Sequence, residues 1–388
     1  MMISNFMLCL AHFSVNPLVA TYAEYLNAAP ELIGLIAGMF FGVALAMRPF
    51  TGIIVTKIDK KKILVFVFVL GIAAHLGYAL FRAIPVFVVF RVLHGIQYGL
   101  IGLVLLALAG DHLPKNKMIS GIGIFGIGGA VASAVAPSIG DGLVRLGTAL
   151  RGEAFGFTLM FLFGAFIFCV ALIPAFILVA DNKTKEDVAG VGAWYKNILS
   201  VHTLPLALLL FMIYLPHAMI HTYMFDFGRA QGIVGISIFY LVLALTLTVT
   251  RPASGVLTDR LGPSKVVFPA FVIYMAALLV IGFSNSLWML IVGAALTAIG
   301  AGSSQPTLQA MCVQTETPIK RGVASNTVYI GLDLGLFLGP ILGGFVRNMS
   351  DFPTMFKTAA VPILISMVAL AAIMPSYKRR VKALEDAG

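Results

Sequence analysis

Long apolar runs recur about every 30 residues along this chain. Each run is about 20 residues long, which lets a helix cross the roughly 30 Å hydrocarbon core of a bilayer. Of the 388 residues, 60% are hydrophobic and 11% are charged, whereas soluble domains are about 25% charged. We therefore predict an all-α membrane protein, and a soluble fold is excluded.

Charged or Pro/Gly-rich turns divide the apolar sequence into twelve predicted transmembrane helices. They lie at 3–23, 33–56, 62–81, 84–109, 118–147, 156–180, 202–226, 233–258, 265–284, 286–311, 320–347 and 353–376. No basic region or small-residue cleavage motif precedes the first apolar run, so we expect a retained first helix rather than a signal peptide.

Most of the 26 Lys and Arg residues fall in the even-numbered connections and the C-terminal tail. Cytoplasmic loops are enriched in Lys and Arg, so both termini are expected in the cytoplasm of a bacterial inner membrane. Because the basic residues sit in short loops and not on one face, the net charge of +10 does not indicate a nucleic-acid-binding surface. A polar segment at 181–200 is the predicted linker. It separates a bundle of six helices at 1–180 from a second at 201–376, with a cytoplasmic tail at 377–388.

The two halves repeat one sequence pattern. The sequence RPFTG at 48–52 matches RPASG at 251–255, an offset of 203 residues. The same offset relates Gly99 to Gly302, Gly128 to Gly331, Pro137 to Pro340 and Gly140 to Gly343. Six spans separate the copies, so both halves have the same orientation, which implies a pseudo-twofold axis along the membrane normal. We expect a central seam between the halves.

Residues 255–262, which read GVLTDRLG, resemble the loop signature of the major facilitator superfamily, and the resemblance covers essentially the whole chain. It implies two bundles of six helices, transport by alternating access, and a cytoplasmic latch. The latch residues implied are Arg48, Gly52, Lys57, Arg251, Gly255, Asp259 and Arg260. Thr56 stands where the family has an Asp, which leaves Asp259 as the latch acid.

Two further motifs resemble those of the superfamily. Arg91 precedes Gly95 by four residues, as in the fourth-helix motif whose Arg is tied to proton coupling. The small residues that end in Pro137 and Gly140 resemble the fifth-helix antiporter pattern of the family. The same pattern recurs in the second half around Gly335, Gly339 and Pro340. Small residues let helices approach closely in lipid, so these positions are expected to pack helices. The chain is most similar to the drug- and sugar-efflux porters.

Asp333 is the first candidate for proton coupling. It follows Lys320 by thirteen residues, which places it about 20 Å along a helix and near the middle of the membrane. A charged side chain there costs about 2.5 to 3.5 kcal/mol on insertion scales, so the carboxyl should face a cavity, pair with a cation, or hold a proton. The alternative is a structural carboxyl that never titrates.

Arg91 and Glu24 are the other coupling candidates. Arg91 lies inside the fourth span, where it could tune a neighbouring acid, bind an anion, or snorkel to the headgroups. Glu24 and Asp226 lie near the outer ends of spans 1 and 7, where solvated anchors are the simpler interpretation.

Polar side chains on spans 1, 4, 7, 10 and 11 are candidates for substrate binding. They are His12, Asn16, His94, Gln97, His217, His221, Gln305, Gln309 and Asn326. Histidine can relay protons near neutral pH. His217 and His221 are spaced as two metal ligands would be, but no cysteine or carboxylate cluster accompanies them, so no metal is expected. Packing between helices is the alternative for the whole set.

Residues 121–126 read GIGIFG and match a dinucleotide fingerprint, but they lie in an apolar span with no preceding strand, so they do not indicate nucleotide binding. No phosphate-loop sequence is present, so transport must use an ion gradient or the gradient of the substrate. We predict a monomeric secondary transporter without cofactors, not an enzyme, that exports a small organic compound in exchange for protons. The alternatives are a proton symporter importing an organic anion, a lipid flippase, and a membrane scaffold.

Overall fold

The computed structural model describes residues 2–112, 118–177, 199–316 and 321–386, and every regular element in these ranges is helical. In the first half they are α1 (Met2–Val15), a 3-10 turn (Asn16–Leu18), α2 (Val19–Tyr25), α3 (Pro30–Lys57), α4 (Lys60–Leu80), α5 (Ile84–His112), α6 (Met118–Arg151) and α7 (Glu153–Ile177). In the second half they are α8 (Leu204–Ala230), α9 (Ser237–Leu261), α10 (Pro263–Gly282), α11 (Leu287–Gln314), α12 (Arg321–Met349), α13 (Phe352–Thr358) and α14 (Ala360–Glu385).

The predicted all-α membrane fold is confirmed. Among the described residues, 11 helical segments are long and apolar enough to cross a bilayer. The helix α6, with 34 residues, occupies the position of the predicted fifth span. Each of the twelve predicted spans therefore corresponds to a helix or to a pair of consecutive helices.

In two predicted spans the α-helix is interrupted close to a proline. The first breaks at the 3-10 turn Asn16–Leu18, because Pro17 has no N–H to continue the helical hydrogen bonds and its ring clashes with the preceding turn. The twelfth breaks at Ala359, since Pro362 cannot donate to the carbonyl of Thr358. Each of these two predicted spans is therefore built from consecutive helices and still corresponds to one segment long and apolar enough to cross a bilayer.

Helix boundaries follow local chemistry. The side chain of Asp59 caps α4 by accepting a hydrogen bond from the backbone N–H of Lys61 at 2.8 Å. Between α9 and α10 a single residue, Gly262, makes the turn with φ of 84°, a conformation open to glycine, and Pro263 starts the next helix. The predicted linker at 181–200 lies outside the described residues except for its last two positions.

The chain divides into two compact units, Met1–Trp194 and Tyr195–Gly388. In the first unit, α1 packs on α6 and α7, α5 packs on α3 and α4, and α4 also packs on α7. In the second unit, α8 packs on α12 and α14, and α11 packs on α9 and α10. The pairing of α1 with α6 thus recurs as that of α8 with α12, and the pairing of α3 with α5 recurs as that of α9 with α11.

Glycines let the repeated helix pairs approach closely. A Cβ atom added at Gly335 would lie 2.6 Å from the Cβ of Tyr214, and one added at Gly339 would lie 2.7 Å from the Cβ of Ala218. In the first unit, a Cβ at Gly140 would overlap the backbone of Ser14. These contacts are the small-residue packing that membrane helices use in place of a hydrophobic driving force.

Candidate functional site

A buried arginine lies at the centre of the first unit. Arg91 on α5 is 1% exposed, and its guanidinium donates to the carbonyl oxygens of Ile36 at 3.2 Å and Ala37 at 2.9 Å. It also donates to the Oδ1 atom of Asn16 at 3.1 Å, and it lies 5.0 Å from the ring centre of Phe40. These acceptors on α3 and on the 3-10 turn hold the charge inside the unit, so snorkelling to the headgroups does not describe its position.

Two predicted histidines meet next to this arginine. The Nε2 atom of His94 lies 2.8 Å from the Nδ1 atom of His12, so α5 and α1 are joined by a hydrogen bond inside the unit. On the other side of the ring, His94 Nδ1 lies 3.2 Å from the hydroxyl of Tyr78, which donates to the carbonyl of Phe90 at 3.2 Å. His12, Asn16, Arg91 and His94 thus form one cluster.

Aromatic rings enclose this cluster. The ring of His12 contacts Phe40, Tyr98 and Phe168 at centroid distances of 5.4, 5.2 and 5.6 Å. A third histidine, His75 on α4, packs 4.7 Å from the ring of His94 and is hydrogen-bonded through Nδ1 to the carbonyl of Gly71 at 2.9 Å. The environment is apolar, which strengthens the electrostatic interactions of every polar group in it.

Several buried polar atoms on α1, α4 and α5 have no hydrogen-bond partner among the described residues. They are the Nε2 atoms of His12 and His75 and both amide atoms of Gln97. An unpaired buried polar group costs about 1 to 3 kcal/mol, so proteins seldom keep one without a use. These atoms are where a ligand, a proton or an ordered water could bind.

In the second unit Asp333 is 2% exposed on α12, so its carboxyl lies inside the unit rather than toward lipid. The neighbouring helix α8 supplies Tyr214, which lies within electrostatic range of Asp333, Tyr329 and Arg251. The hydroxyl of Tyr214 donates to the Oε1 atom of Gln305 at 3.4 Å. The helices α8, α11 and α12 therefore pack together around this carboxyl.

His217 and His221 lie one turn apart on α8 and are half-buried, with ring centres 4.5 Å apart. His217 contacts Tyr214 at 5.3 Å, and His221 contacts Tyr240 at 5.8 Å. Among the described residues no group of three or more metal-ligating side chains is present. Gln309 and Asn326, the other predicted lining residues of this unit, are half-buried.

The remaining predicted residues differ in how deeply they are buried. Glu24 is exposed near the end of α2, whereas Asp226 is buried, so the expectation of a solvated anchor was wrong for Asp226. Of the latch residues, Arg48 is half-buried, and four are exposed on or near the end of α9: Arg251, Gly255, Asp259 and Arg260. Gly52 and Lys57 lie on α3, and their burial falls outside what the structure describes. Pro137 and Pro340 are buried, and the carbonyl of Pro340 accepts from the hydroxyl of Tyr223 at 2.8 Å.

Sequence reasoning missed a polar network at one end of the second unit. Glu316, just after α11, accepts a hydrogen bond from the hydroxyl of Ser200 at 2.6 Å and contacts Nδ1 of His202 at 3.2 Å. Arg380 on α14 lies 3.8 Å from its other oxygen and donates to the carbonyl of Thr315 at 3.1 Å. Burial alone would raise the pKa of Glu316, but these hydrogen bonds and positive charges outweigh burial and lower it.

Sequence reasoning also missed His75 and Tyr78. Both interrupt the otherwise apolar third span and are spaced i, i+3, so they lie on one face of α4. Two hydrogen-bonding side chains on one face of a transmembrane helix mark a face that turns away from lipid. That signal was available from the sequence.

Two repeated units of membrane-crossing helices, each with ionisable groups buried inside it, define a polytopic membrane protein. The family model for the Major Facilitator Superfamily matches residues 1–249 and 203–387. The chain belongs to this superfamily, as its sequence motifs predicted.

Two sequence relatives are similar over most of their length. The chain is 24% identical over 362 residues to an uncharacterized MFS-type transporter of Methanocaldococcus jannaschii, covering 89% of this chain and 90% of that protein. It is 25% identical over 364 residues to the multidrug resistance protein MdtG of Salmonella heidelberg, covering 91% and 89%.

Solved structures share the fold. A bacterial homologue of the human lysosomal transporter Spinster, in an inward-facing and unoccupied conformation, superposes with a TM-score of 0.75 at 15% identity, covering 99% of this chain and 96% of that one. A POT family transporter in complex with 5-aminolevulinic acid gives 0.79 at 12% identity, covering 97% and 95%.

Proposed function

We propose that this transporter exports a small organic compound in exchange for protons by alternating access, from a bacterial inner membrane in which both termini are cytoplasmic. The similarity to MdtG, described as a multidrug resistance protein, supports efflux of organic compounds. The protein acts as a monomer in this proposal, with bundles at 1–180 and 201–376 joined by the linker at 181–200.

Asp333 is the proposed proton-coupling acid, and its burial on α12 is the observation on which the proposal depends. A carboxyl held away from water resists ionisation, so it would load a proton and release it when a substrate or cation replaces that proton. Tyr214, which lies within electrostatic range of Asp333, and its hydrogen-bond partner Gln305 supply further polar groups on this side of the unit. Glu24, exposed near the end of α2, would deliver protons from the surface.

Transport into liposomes tests this proposal. Ethidium serves as the cationic probe, and its accumulation is followed by fluorescence with the liposome interior made acidic or alkaline. Proton antiport predicts accumulation with an acidic interior and its loss in Asp333→Asn. The matched control is Asp226→Asn, which changes the other buried carboxyl of α8 and α12 in the same way. Accumulation that ignores the pH gradient in both the unmodified protein and Asp333→Asn would exclude the coupling role.

A second candidate function is proton symport of an organic anion. It is favoured by Arg91, which donates to two backbone carbonyls and one amide oxygen and also interacts with the hydroxyl of Tyr78. None of these partners among the described residues is a carboxylate. An anionic group would neutralise such a guanidinium. In this case carboxyfluorescein would accumulate with an alkaline interior, and Arg91→Gln would abolish that accumulation.

A further inference from the structure

The first unit contains a chain of hydrogen bonds that crosses three helices. It runs from His12 on α1 through His94 on α5 to Tyr78 on α4, and it ends at the backbone carbonyl of Phe90. All three side chains are buried, the most exposed being His12 at 3%. The partners of each imidazole nitrogen indicate which of the two nitrogens carries the hydrogen.

Only one assignment of neutral imidazoles satisfies every bond. A neutral ring carries one N–H donor and one lone pair. If Tyr78 donates to the carbonyl of Phe90, its oxygen accepts from Nδ1–H of His94. The Nε2 atom of His94 then accepts from Nδ1–H of His12. In the opposite assignment Tyr78 donates to Nδ1 of His94, so its hydrogen bond to the carbonyl of Phe90 is lost. His94 then donates from Nε2 to Nδ1 of His12, which leaves His12 with an unpaired Nε2–H, and orphaned buried donors are rare.

The consequence is a free lone pair at Nε2 of His12. This is the atom of that ring without a hydrogen-bond partner among the described residues. A proton that reaches it makes His12 an imidazolium whose Nδ1–H already points at His94. The proton between the rings can then shift to Nε2 of His94, so the positive charge is shared. The two nitrogens lie 2.8 Å apart, which is within hydrogen-bond distance.

We propose that His12 and His94 form a single proton-binding site in the first unit, loaded at Nε2 of His12. The proton comes from water and returns to water, and no other group is consumed. The site rests on the proposed function in one respect: it would be a second proton carrier beside Asp333, located in the unit that lacks that acid. Hydrogen-bond donors of a substrate would compete with the proton for the same lone pair.

The positive charge of Arg91 favours release of the proton from this pair. The titratable or charged groups near the pair among the described residues are His75 and Tyr78 on α4, Arg91 and Tyr98 on α5, and Cys9 on α1. On α6, Asp141 is paired with Arg145 at 2.9 Å, while α3 and α7 present the rings of Phe40 and Phe168. Arg91 lies one turn before His94 and repels a second positive charge. A carrier must release its proton in each cycle, and this repulsion favours release.

Nitrogen-15 NMR of the purified full-length protein, labelled at its seven histidines, tests the proposal without any substrate. At neutral pH, His12 and His94 should both be neutral with the hydrogen on Nδ1. On acidification the two signals should move together, because one proton is shared between the rings. In His94→Gln the titration midpoint of His12 should shift by about one pH unit or more, a tenfold change in proton affinity.

The matched control is His75→Gln, which changes a buried histidine outside the chain of hydrogen bonds and should leave the His12 and His94 titrations coupled. Tyr78→Phe removes the acceptor of Nδ1–H of His94 and should move that hydrogen to Nε2. Separate titrations of His12 and His94, or a His12 midpoint unchanged in His94→Gln, would overturn the shared site. If either variant fails to fold, the hydrogen positions in the unmodified protein decide, and hydrogen on Nε2 of His12 contradicts the assignment. Coupled titration together with transport that ignores pH would reject the proposed function and leave this site standing.

Discussion

The Nη1 atom of Arg91 lies 3.1 Å from the Oδ1 atom of Asn16, although 75 residues separate them in the chain. Asn16 opens the 3-10 turn that Pro17 imposes on the first span. A proline-induced break therefore supplies the acceptor for a buried guanidinium. Two backbone carbonyls of α3 accept further hydrogen bonds, so Nε, Nη1 and Nη2 of Arg91 each donate to a different acceptor.

We predict that Arg91→Lys destabilises the first unit. Lysine offers one ammonium in place of a rigid fork, so it cannot donate to Ile36, Ala37 and Asn16 together. Each acceptor left without its partner costs about 1 to 3 kcal/mol. The thermal unfolding midpoint in detergent should fall clearly below that of Arg229→Lys, which changes an exposed arginine. Equal midpoints for the two variants would contradict the prediction.

Two glycines of α6 should respond in opposite ways to alanine. In Gly140→Ala the new methyl group overlaps the backbone of Ser14, and α1 must move away at a cost of about 1 to 3 kcal/mol. In Gly142→Ala the methyl group meets no atom within 4 Å, and alanine should stabilise the helix by about 0.5 to 1 kcal/mol. Thermal unfolding of the two variants measures both effects, and a neutral Gly140→Ala would show that the helices are less closely packed.

Glu316 should make stability depend on pH. Its pKa is lowered in the folded protein, so its contribution is complete above the unfolded pKa near 4.5 and is lost as pH falls through the lower folded value. The difference in unfolding midpoint between the unmodified protein and Glu316→Gln should therefore shrink as the pH is lowered below about 4.5. Asp386→Asn, at an exposed acid of the same unit, is the control. A difference that grows with acidification would reverse the assigned sign.

Replacing Gln97 by an apolar residue should raise stability and lower transport. Both of its amide atoms are buried with no hydrogen-bond partner among the described residues, so Gln97→Met should raise stability by about 1 to 3 kcal/mol. If the amide contacts substrate, transport of the probe falls in the same variant. Gln314→Met is the contrast, because the amide of Gln314 accepts a hydrogen bond from Tyr377, and its loss should lower the unfolding midpoint. A fall in both variants would mean that Gln97 has a partner.

The membrane-spanning helices could be predicted because lipid leaves few alternatives. A backbone in hydrocarbon must satisfy its own hydrogen bonds, so about 20 apolar residues specify a helix. The repeat at 48–52 and 251–255 then fixed the grouping into halves. The breaks after Val15 and Thr358 were missed, although Pro17 and Pro362 were visible, because a proline inside an apolar run can also be tolerated, as Pro252 is within α9.

The internal clusters were predicted in part. His12, Asn16, Arg91 and His94 were selected as polar residues in apolar spans, but which of them touch depends on how α1, α3 and α5 pack, and periodicity does not specify that. Tyr78 alone carries little signal, because tyrosine is also enriched at membrane interfaces, and only its spacing with His75 marks a polar face. Glu316 was passed over because it follows the end of a span, where a solvated acid is the usual case, and its partners are more than 60 residues away at Ser200 and Arg380.

The last helix, α14, continues to Glu385, well past the predicted end of the twelfth span at 376, and Arg380 on this extension contacts Glu316. A chain cut at residue 377 would thus lose a cation that neutralises a buried carboxylate, and not merely a solvent-exposed tail. Ser200, which precedes α8, donates a hydrogen bond to the same carboxylate, so a shortened form should be destabilised first at the start of α8. A purification tag should therefore be attached after Asp386.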